Sequence, residues 1–430
     1  MRNDGLLDKM ELVDPAYVEA ADAQPKRRKN AWAKWGAVAA CLCLVLIGAL
    51  TLGRRSAPRP SEPVAPDFTG PEPASIPGSG GSEPASIPGS GGFEPLTLPE
   101  PNFEGMGFEG LLYHDISELR NGNPWREDME LTTLPVYRNG SYDPSGAGVA
   151  IGLSGEEMMK RLEHTVSALG LEELSTEVMT DGSLIVNAKD PFTEPTRIVA
   201  KTAGGVEIEI FADGGIDCWM PDGSVPLPDE YSFTWHDTTD GEAERVLAYL
   251  ADAYGELLGF AEPKAVSFGD YDIYGDFDRD YFVYDASGDD VADILNYHFR
   301  RVEFVPDQEG GSLWIIRIKD GLLSAEKMGD YPIVTAAEAA ERLLAGHYAT
   351  SVPYAFPGEE YIGKVELMYR AGYFDELLLP YYRFYVLLPE EAGINASADA
   401  NGLACYGAYY VPAIADEYVA NMPTYNGWFN

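Results

Sequence analysis

In 430 residues, 70 Asp or Glu face 30 Lys or Arg, a formal charge of −40 at pH 7. A surface of that sign repels phosphate backbones and anionic headgroups, which argues against nucleic acid as a partner and favours cations or basic peptides. With 45% of residues hydrophobic and only 23% charged, the chain has enough apolar side chain for a sizeable core, so the acidity reads as surface solubility and not as disorder.

The chain opens with a cytoplasmic tail, residues 1–31, where Leu6, Leu7, Met10, Tyr17 and Val18 cluster at helix-compatible spacings on an otherwise charged peptide. They predict a weak docking face for a cytoplasmic regulatory protein, with an unstructured tail as the alternative. Residues 32–55 follow as a transmembrane helix: Lys26-Arg27-Arg28-Lys29 and Lys34 lead into the uncharged stretch Gly36–Gly53, closed by Arg54-Arg55. Such a stretch rises roughly 27 Å as a helix, close to the thickness of a bilayer's hydrocarbon core. Five basic residues before it and two after it put the N-terminus in the cytoplasm and the bulk of a single-pass cell-membrane protein outside. A cleaved signal fits less well, because about thirty polar residues precede the apolar run. The lipoprotein-like box Val38-Ala39-Ala40-Cys41 sits too early in the run.

Residues 56–104 read as a linker of Pro, Gly, Ser and Glu, in which an eleven-residue unit at Glu72–Ser82 recurs at Glu83–Phe93. Its composition buries too little apolar surface to offset chain entropy. Three units are expected beyond it, 105–237, 238–330 and 331–430, each a helix on one face of an antiparallel sheet. Capping boxes mark the helix starts at Ser154 with Glu157, Thr239 with Glu242, and Thr335 with Glu338. In each, the hydroxyl accepts from an early amide while the Glu reaches back to the cap's own amide. Met158, Leu162, Val166 and Leu169 then share one helical face, as do Val246, Leu250, Ala253 and Leu257, and Ala339, Leu343 and Leu344. Period-two patterning follows in Val206, Ile208 and Ile210, with further strands expected over 264–274, 280–285, 301–305, 313–318, 361–370, 380–388 and 406–412 and a short helix near 289–298. The fold class is therefore read as α+β: a single N-terminal transmembrane helix, a disordered linker, and about three helix-plus-antiparallel-sheet units. Of four cysteines, Cys41 and Cys43 fall in the uncharged stretch; Cys218 and Cys405 read as separate buried thiols, with one disulfide as the alternative.

Two stretches carry a family likeness. Leu6-Leu7, Met10, Asp14-Pro15 and Tyr17-Val18, a basic stop and Trp35-Gly36-Ala37-Val38-Ala39-Ala40 resemble the front end of anti-sigma-factor-like single-pass membrane proteins of clostridial Firmicutes. Ile333, Thr335, Glu338-Ala339, Gly346-His347-Tyr348, Val365, Leu367, Tyr369, Pro380, Tyr382 and Phe384 make the last unit similar to extracytoplasmic domains of the PepSY and YycH/YycI type. The resemblance implies a regulator that acts on partners across the envelope, and it brings no catalytic signature. The first part departs from its family in one respect. Zinc-containing anti-sigma domains place a His and two Cys in the cytoplasmic segment, whereas the first histidine here is His114, so a sigma factor would be held by a short peptide helix alone.

Several motifs match catalytic or metal patterns in letters only. Gly105, Gly107 and Gly110 have dinucleotide-fingerprint spacing but emerge from the linker, without the preceding strand that the fingerprint needs. Ser324 and Lys327 have the nucleophile–lysine spacing of penicillin-binding proteins without the companion elements in order. Asp276, Asp278 and Asp280 begin like a calcium loop, but Tyr281 and Ser287 stand where Gly and Glu are needed, leaving a weak Ca²⁺ candidate beside the simpler reading of a solvated turn. No paired histidines or cysteine clusters support zinc, and no cofactor or catalytic residue is expected. Tyr381 and Tyr385 alternate with Tyr382 and Phe384, and Tyr409 lies in a later strand. One helix covers only one sheet face, so Tyr381, Tyr385 and Tyr409 are partner-binding candidates unless another part of the chain covers them. The function these readings support is a non-enzymatic, membrane-anchored sensor or regulator that binds a protein or small ligand outside the cell. A cell-surface module for glycan or wall, with no signalling role, is the alternative.

Overall fold

The computed structural model describes residues 93–98, 112–114, 121–142, 151–180, 195–271, 277–370, 375–388, 403–427 and 429, all within one compact unit, Pro84–Asn430. In chain order, β1 (Leu96–Thr97), β2 (Leu112–His114) and β3 (Thr133–Arg138) precede α1 (Gly155–Ala168). The run β4 (Glu173–Met179), β5 (Arg197–Thr202), β6 (Glu207–Phe211) and β7 (Ile216–Trp219) leads to α2 (Asp240–Ala253) and α3 (Gly255–Leu258). Then come β8 (Pro263–Tyr271), β9 (Phe277–Asp285), α4 (Asp290–Phe299), β10 (Arg300–Pro306), β11 (Leu313–Asp320) and β12 (Glu326–Pro332). The last third holds α5 (Ala336–Leu344), β13 (Ala349–Thr350), β14 (Ile362–Tyr369), β15 (Leu377–Leu378), β16 (Pro380–Leu387), β17 (Ala404–Pro412) and β18 (Val419–Asn421).

The helices start where their caps dictate. Glu157 Oε2 accepts from the Ser154 amide at 2.9 Å, Glu242 Oε2 from Thr239 at 3.0 Å and Glu338 Oε2 from Thr335 at 2.8 Å. Asp289 caps α4 by accepting from the Ala292 amide at 2.9 Å. Each cap satisfies an amide that the first turn leaves without a helical partner. Gly170 and Gly346, at φ 62° and 87°, end the α1 and α5 segments in the left-handed region that other residues avoid.

A 13-stranded sheet runs in the order β14-β16-β17-β2-β8-β9-β10-β11-β7-β6-β5-β4, with β13 beside β17. Every strand pair along that order is antiparallel. Cross-strand neighbours share a face, and one such row reads Ile198, Ile210, Ile216, Ile318, Val302, Val283. With Met158 and Leu162 of α1 and Val246, Leu247 and Leu250 of α2 it forms the first core. A second core joins Ala339 and Leu343 of α5 and Ile294 and Phe299 of α4 to Leu367, Tyr382, Phe384, Tyr409 and Val411. α4 also packs toward β9 through Tyr297, whose ring lies 5.7 Å from Phe282 and 5.6 Å from Tyr284. A small sheet, β12-β3-β15, helps to close the third core, which holds Leu96, Leu98, Val136, Tyr331, Tyr381 and Tyr410.

The expected α+β class is corrected. The structure is 39% strand and 21% helix, built on large antiparallel sheets. Strands from all three expected units hydrogen-bond into one sheet: β2 lies between β17 and β8, pairing Cys405 with Tyr113 and Tyr113 with Tyr271. Strand pairing satisfies backbone groups regardless of sequence separation, so local helix-plus-strand runs need not close into separate sheets. Among the described residues no helix is long and apolar enough to cross a membrane. The segment 36–53, which carried that part of the expectation, lies outside them, as does the expected linker up to residue 92. Cys218 and Cys405 are buried in different cores, and burial, with Asp217 beside it, pushes the Cys218 thiol up to about 12.

Candidate binding face

The tyrosines singled out from the sequence lie inside the protein. Tyr381 and Tyr385 are each 5% exposed and Tyr409 is 0%. Tyr381 belongs to the third core, Tyr409 donates to the Tyr354 carbonyl at 2.9 Å, and Tyr385 donates to Glu366 at 2.9 Å. Tyr381 is covered by Leu96, Leu98, Tyr331 and Tyr418, from far along the chain, whereas Tyr385 packs separately with Tyr406 and Leu387, and Tyr409 lies in the second core. Leu6, Leu7, Met10, Tyr17, Val18 and Asp276 lie outside the described residues, as do Gly105, Gly107 and Gly110. Asp278 and Asp280 sit in the extended strand β9, and Asp278 Oδ1 is 3.3 Å from His236 Nδ1. Among the described residues no three His, Cys, Asp or Glu converge on a metal position. Ser324 shares a 2.9 Å hydrogen bond with Ser141, while Lys327 Nζ turns to Asp330 at 2.7 Å. The lysine thus serves its strand and not the serine.

The sheet face opposite α1 and α2 is the strongest candidate site. One cross-strand row on it reads Val199, Glu209, Asp217, Arg317, Glu303, Phe282. A second reads Lys201, Glu207, Trp219, Ile315, Val305. Arg197 pairs with Phe211 at one end, and Lys319, Arg301, Tyr284 and Lys264 form a third row at the other, where Tyr297 of α4 covers Phe282 and Tyr284 and the open face ends. The alternation of the strands alone places these side chains together, since their neighbours in sequence supply the core on the other face. Six basic residues (Arg197, Lys201, Lys264, Arg301, Arg317, Lys319) meet six acidic ones (Glu177, Glu207, Glu209, Asp217, Asp280, Glu303), so this band is charge-balanced on a chain of charge −40.

The charges interlock across strands. Arg317 bridges β7 and β10, with Nε 3.1 Å from Asp217 Oδ1 and Nη1 3.4 Å from Glu303 Oε2. Although burial works against it, pairing with Asp217 and Glu303 raises the Arg317 pKa. Arg197 Nη1 lies 2.9 Å from Glu209 Oε1, and the Trp219 indole donates to Glu209 Oε2 at 3.3 Å. Trp219 also meets Trp314 edge to face at 5.4 Å. Lys319 keeps about half of its side chain exposed, yet desolvation first and the nearby Arg301 second lower its pKa. Its ammonium lies 3.9 Å from Glu303 Oε2, which links Lys319 to the pair that Arg317 makes with the same carboxylate. The site therefore offers a rigid floor, a fixed row of paired donors and acceptors, and an indole face. Sequence reading took these strands as structural; the signal it passed over was the charged alternation Glu207-x-Glu209 and Arg317-x-Lys319 within apolar strands.

A buried ionic cluster lies where α4 meets β14 and β16. Glu366 Oε1 accepts from Arg383 Nε at 2.7 Å, from a second Arg383 nitrogen and from the Tyr385 hydroxyl at 2.9 Å. Oε2 accepts from Asn121 Nδ2 at 2.8 Å and from Lys364 Nζ at 3.0 Å. Burial alone would raise its pKa, but Arg383, Lys364 and Asn121 overcome that and hold it at about 2. Beside it His298 has an Nε2 closed off from water with no hydrogen-bond partner. Desolvation depresses the imidazole to about 3, despite the proximity of Glu366. Tyr297 donates to the Asn121 carbonyl, tying the 121–125 segment to α4. This cluster fastens elements together and presents little to a ligand. No family model matches the chain, and no characterised protein or solved structure is significantly similar to it.

Proposed function

We propose that the protein is a non-catalytic sensor or regulator attached to the cell envelope, which recognises a ligand or protein partner outside the cell through the charged sheet face of β5, β6, β7, β11 and β10. In this reading residues 36–53 hold the chain to the membrane, and Leu6, Leu7, Met10, Tyr17 and Val18 contact a cytoplasmic regulator in the manner of anti-sigma-like proteins. The observation that carries it is the interlocked, charge-balanced row on an otherwise acidic chain, in which Arg317 is fixed between Asp217 and Glu303 and the Trp219 indole donates to Glu209. Aligned donors on a rigid sheet recognise carboxylate or phosphate with little ordering cost. A cell-wall module without signalling is the second reading, favoured by Trp219 and Trp314 at the rim, since an indole beside hydrogen-bonding carboxylates suits the face of a sugar ring.

The full chain in detergent, titrated with purified soluble peptidoglycan fragments, separates the two. Saturable binding that is lost in Trp219→Ala and weakened about tenfold in Lys319→Glu supports the wall module. Binding of a protein partner with the same Lys319→Glu sensitivity, and none of the fragments, supports the regulator. Indifference of every interaction to both substitutions refutes the site.

A further inference from the structure

The segment at which the expected linker meets the folded unit is held by contacts remote in sequence. Phe93 lies 4.7 Å from the Tyr331 ring and 6.1 Å from Tyr418, and Tyr331 donates to the Glu94 carbonyl at 3.3 Å. Leu96 and Leu98 are buried in the third core beside Tyr381 and Tyr410. Backbone pairing is slight: β1 runs parallel to β18 over two register pairs, Leu96 with Val419 and Thr97 with Asn421, with a shift between them. The carboxamide of Asn421 completes the strand, accepting from the Leu98 amide at 2.8 Å and donating to the Leu98 carbonyl at 2.9 Å. Gly329 is cut to fit this segment. A Cβ there would lie 2.4 Å from Phe93 Cε1 and 3.0 Å from Cδ1, so the ring would have to move.

We propose that Phe93–Leu98 is a reversible clasp: the groove formed by Gly329, Tyr331, Tyr418 and β18 is an acceptor for an extended apolar segment, filled at rest by the chain's own segment and emptied by tension on the linker. Two strand pairs, with Pro95 supplying no donor, give the clasp few backbone bonds to break. Its apolar anchors, in contrast, make the closed state specific. Opening uncovers Tyr331, Tyr381 and Tyr410, an aromatic surface of the kind that an extended peptide adds to a sheet edge to reach. Because the segment is tethered, its effective concentration at the groove is on the order of millimolar, so a free competitor displaces it only at comparable concentration. The source of the tension rests on the envelope attachment proposed above; the clasp and its groove do not.

Hydrogen–deuterium exchange on the full chain tests the clasp in the absence of any membrane. Gly329→Ala is expected to evict Phe93 and speed exchange at Leu96–Leu98 and Val419–Asn421 at least tenfold, with β9 and β10 unchanged. Phe93→Ala removes the ring anchor but leaves the groove intact, so it is expected to lower protection at Val419–Asn421, and synthetic peptide Phe-Glu-Pro-Leu-Thr-Leu, identical to residues 93–98 and supplied well above the effective concentration of the tethered segment, is expected to restore it. Unchanged exchange in Gly329→Ala, or acceleration spread equally over β9 and β10, overturns the clasp. Failure of the peptide to restore protection overturns the acceptor groove. Neither result depends on where the protein resides in the cell, so failure here is distinct from failure of the proposed function.

Discussion

Acidification tests the buried cluster through His298. The groups facing this imidazole are Glu366 and Tyr369 on β14, the latter's ring 6.1 Å away, Arg383 on β16, Arg301 on β10 and its own neighbour Tyr297, whose ring is 4.9 Å away. Folding desolvates the ring and depresses its pKa from 6.5 to about 3. The unfolded chain therefore takes up a proton below pH 6.5 that the folded chain refuses, and stability must fall as pH falls from about 6.5 toward about 3, with no further loss below that. The slope approaches about 1.4 kcal/mol per pH unit, and the whole window is worth at most about 5 kcal/mol, an upper bound because the ring is only partly enclosed. Urea denaturation at pH 7.0, 6.0 and 5.0 measures it, above the range in which Glu366 titrates. His298→Phe fills the same space without a titrating group, so its stability should decline more shallowly than that of the wild type across this range. Equal slopes for the two proteins would refute the reasoning.

The carboxylate beside it has the opposite role. Glu366 is held at about 2, so its stabilisation is present above about pH 4.5 and lost as pH falls toward 2; Glu366→Gln should cost about 3–5 kcal/mol at pH 7 by leaving Arg383 and Lys364 short of charge, measured by the shift in urea midpoint. Tyr381→Ala and Tyr409→Ala should each lose about 3–5 kcal/mol, because both rings are enclosed by core residues; near-wild-type melting with loss of partner binding would contradict their placement. Thr335→Ala removes the hydroxyl that accepts from the Glu338 amide at 3.2 Å and should cost about 1 kcal/mol by the same assay.

Much of the secondary structure was legible because its causes are local. Ser154 with Glu157, Thr239 with Glu242 and Thr335 with Glu338 act within one helical turn, and the structure starts a helix at each. Strands with clear alternation, such as Glu207–Phe211, were legible for the same reason. β4 was not, because an edge strand with Leu174 65% exposed and Val178 50% exposed has little inward face to pattern. Assembly was illegible for a different reason. Nothing near Leu112–His114 announces that it pairs with both Ala404–Tyr406 and Tyr271. The alternation of Tyr381 with Tyr382 correctly implied two apolar faces, but the cover for one of them comes from Leu96 and Leu98. Glu366 gave no local sign either: its partner Arg383 stands directly opposite on β16, and Asn121 lies 245 positions earlier.

The charged face is tested most directly by a photo-crosslinking residue placed at Lys319 in the full-length protein in living cells, with a second placed at Glu244 on the exposed side of α2 as a control. A specific adduct from position 319, absent from position 244 and abolished by Lys201→Glu on the same face, is the predicted result. Equal labelling from both positions, or no adduct from 319 with protein or wall material, would contradict recognition through this face.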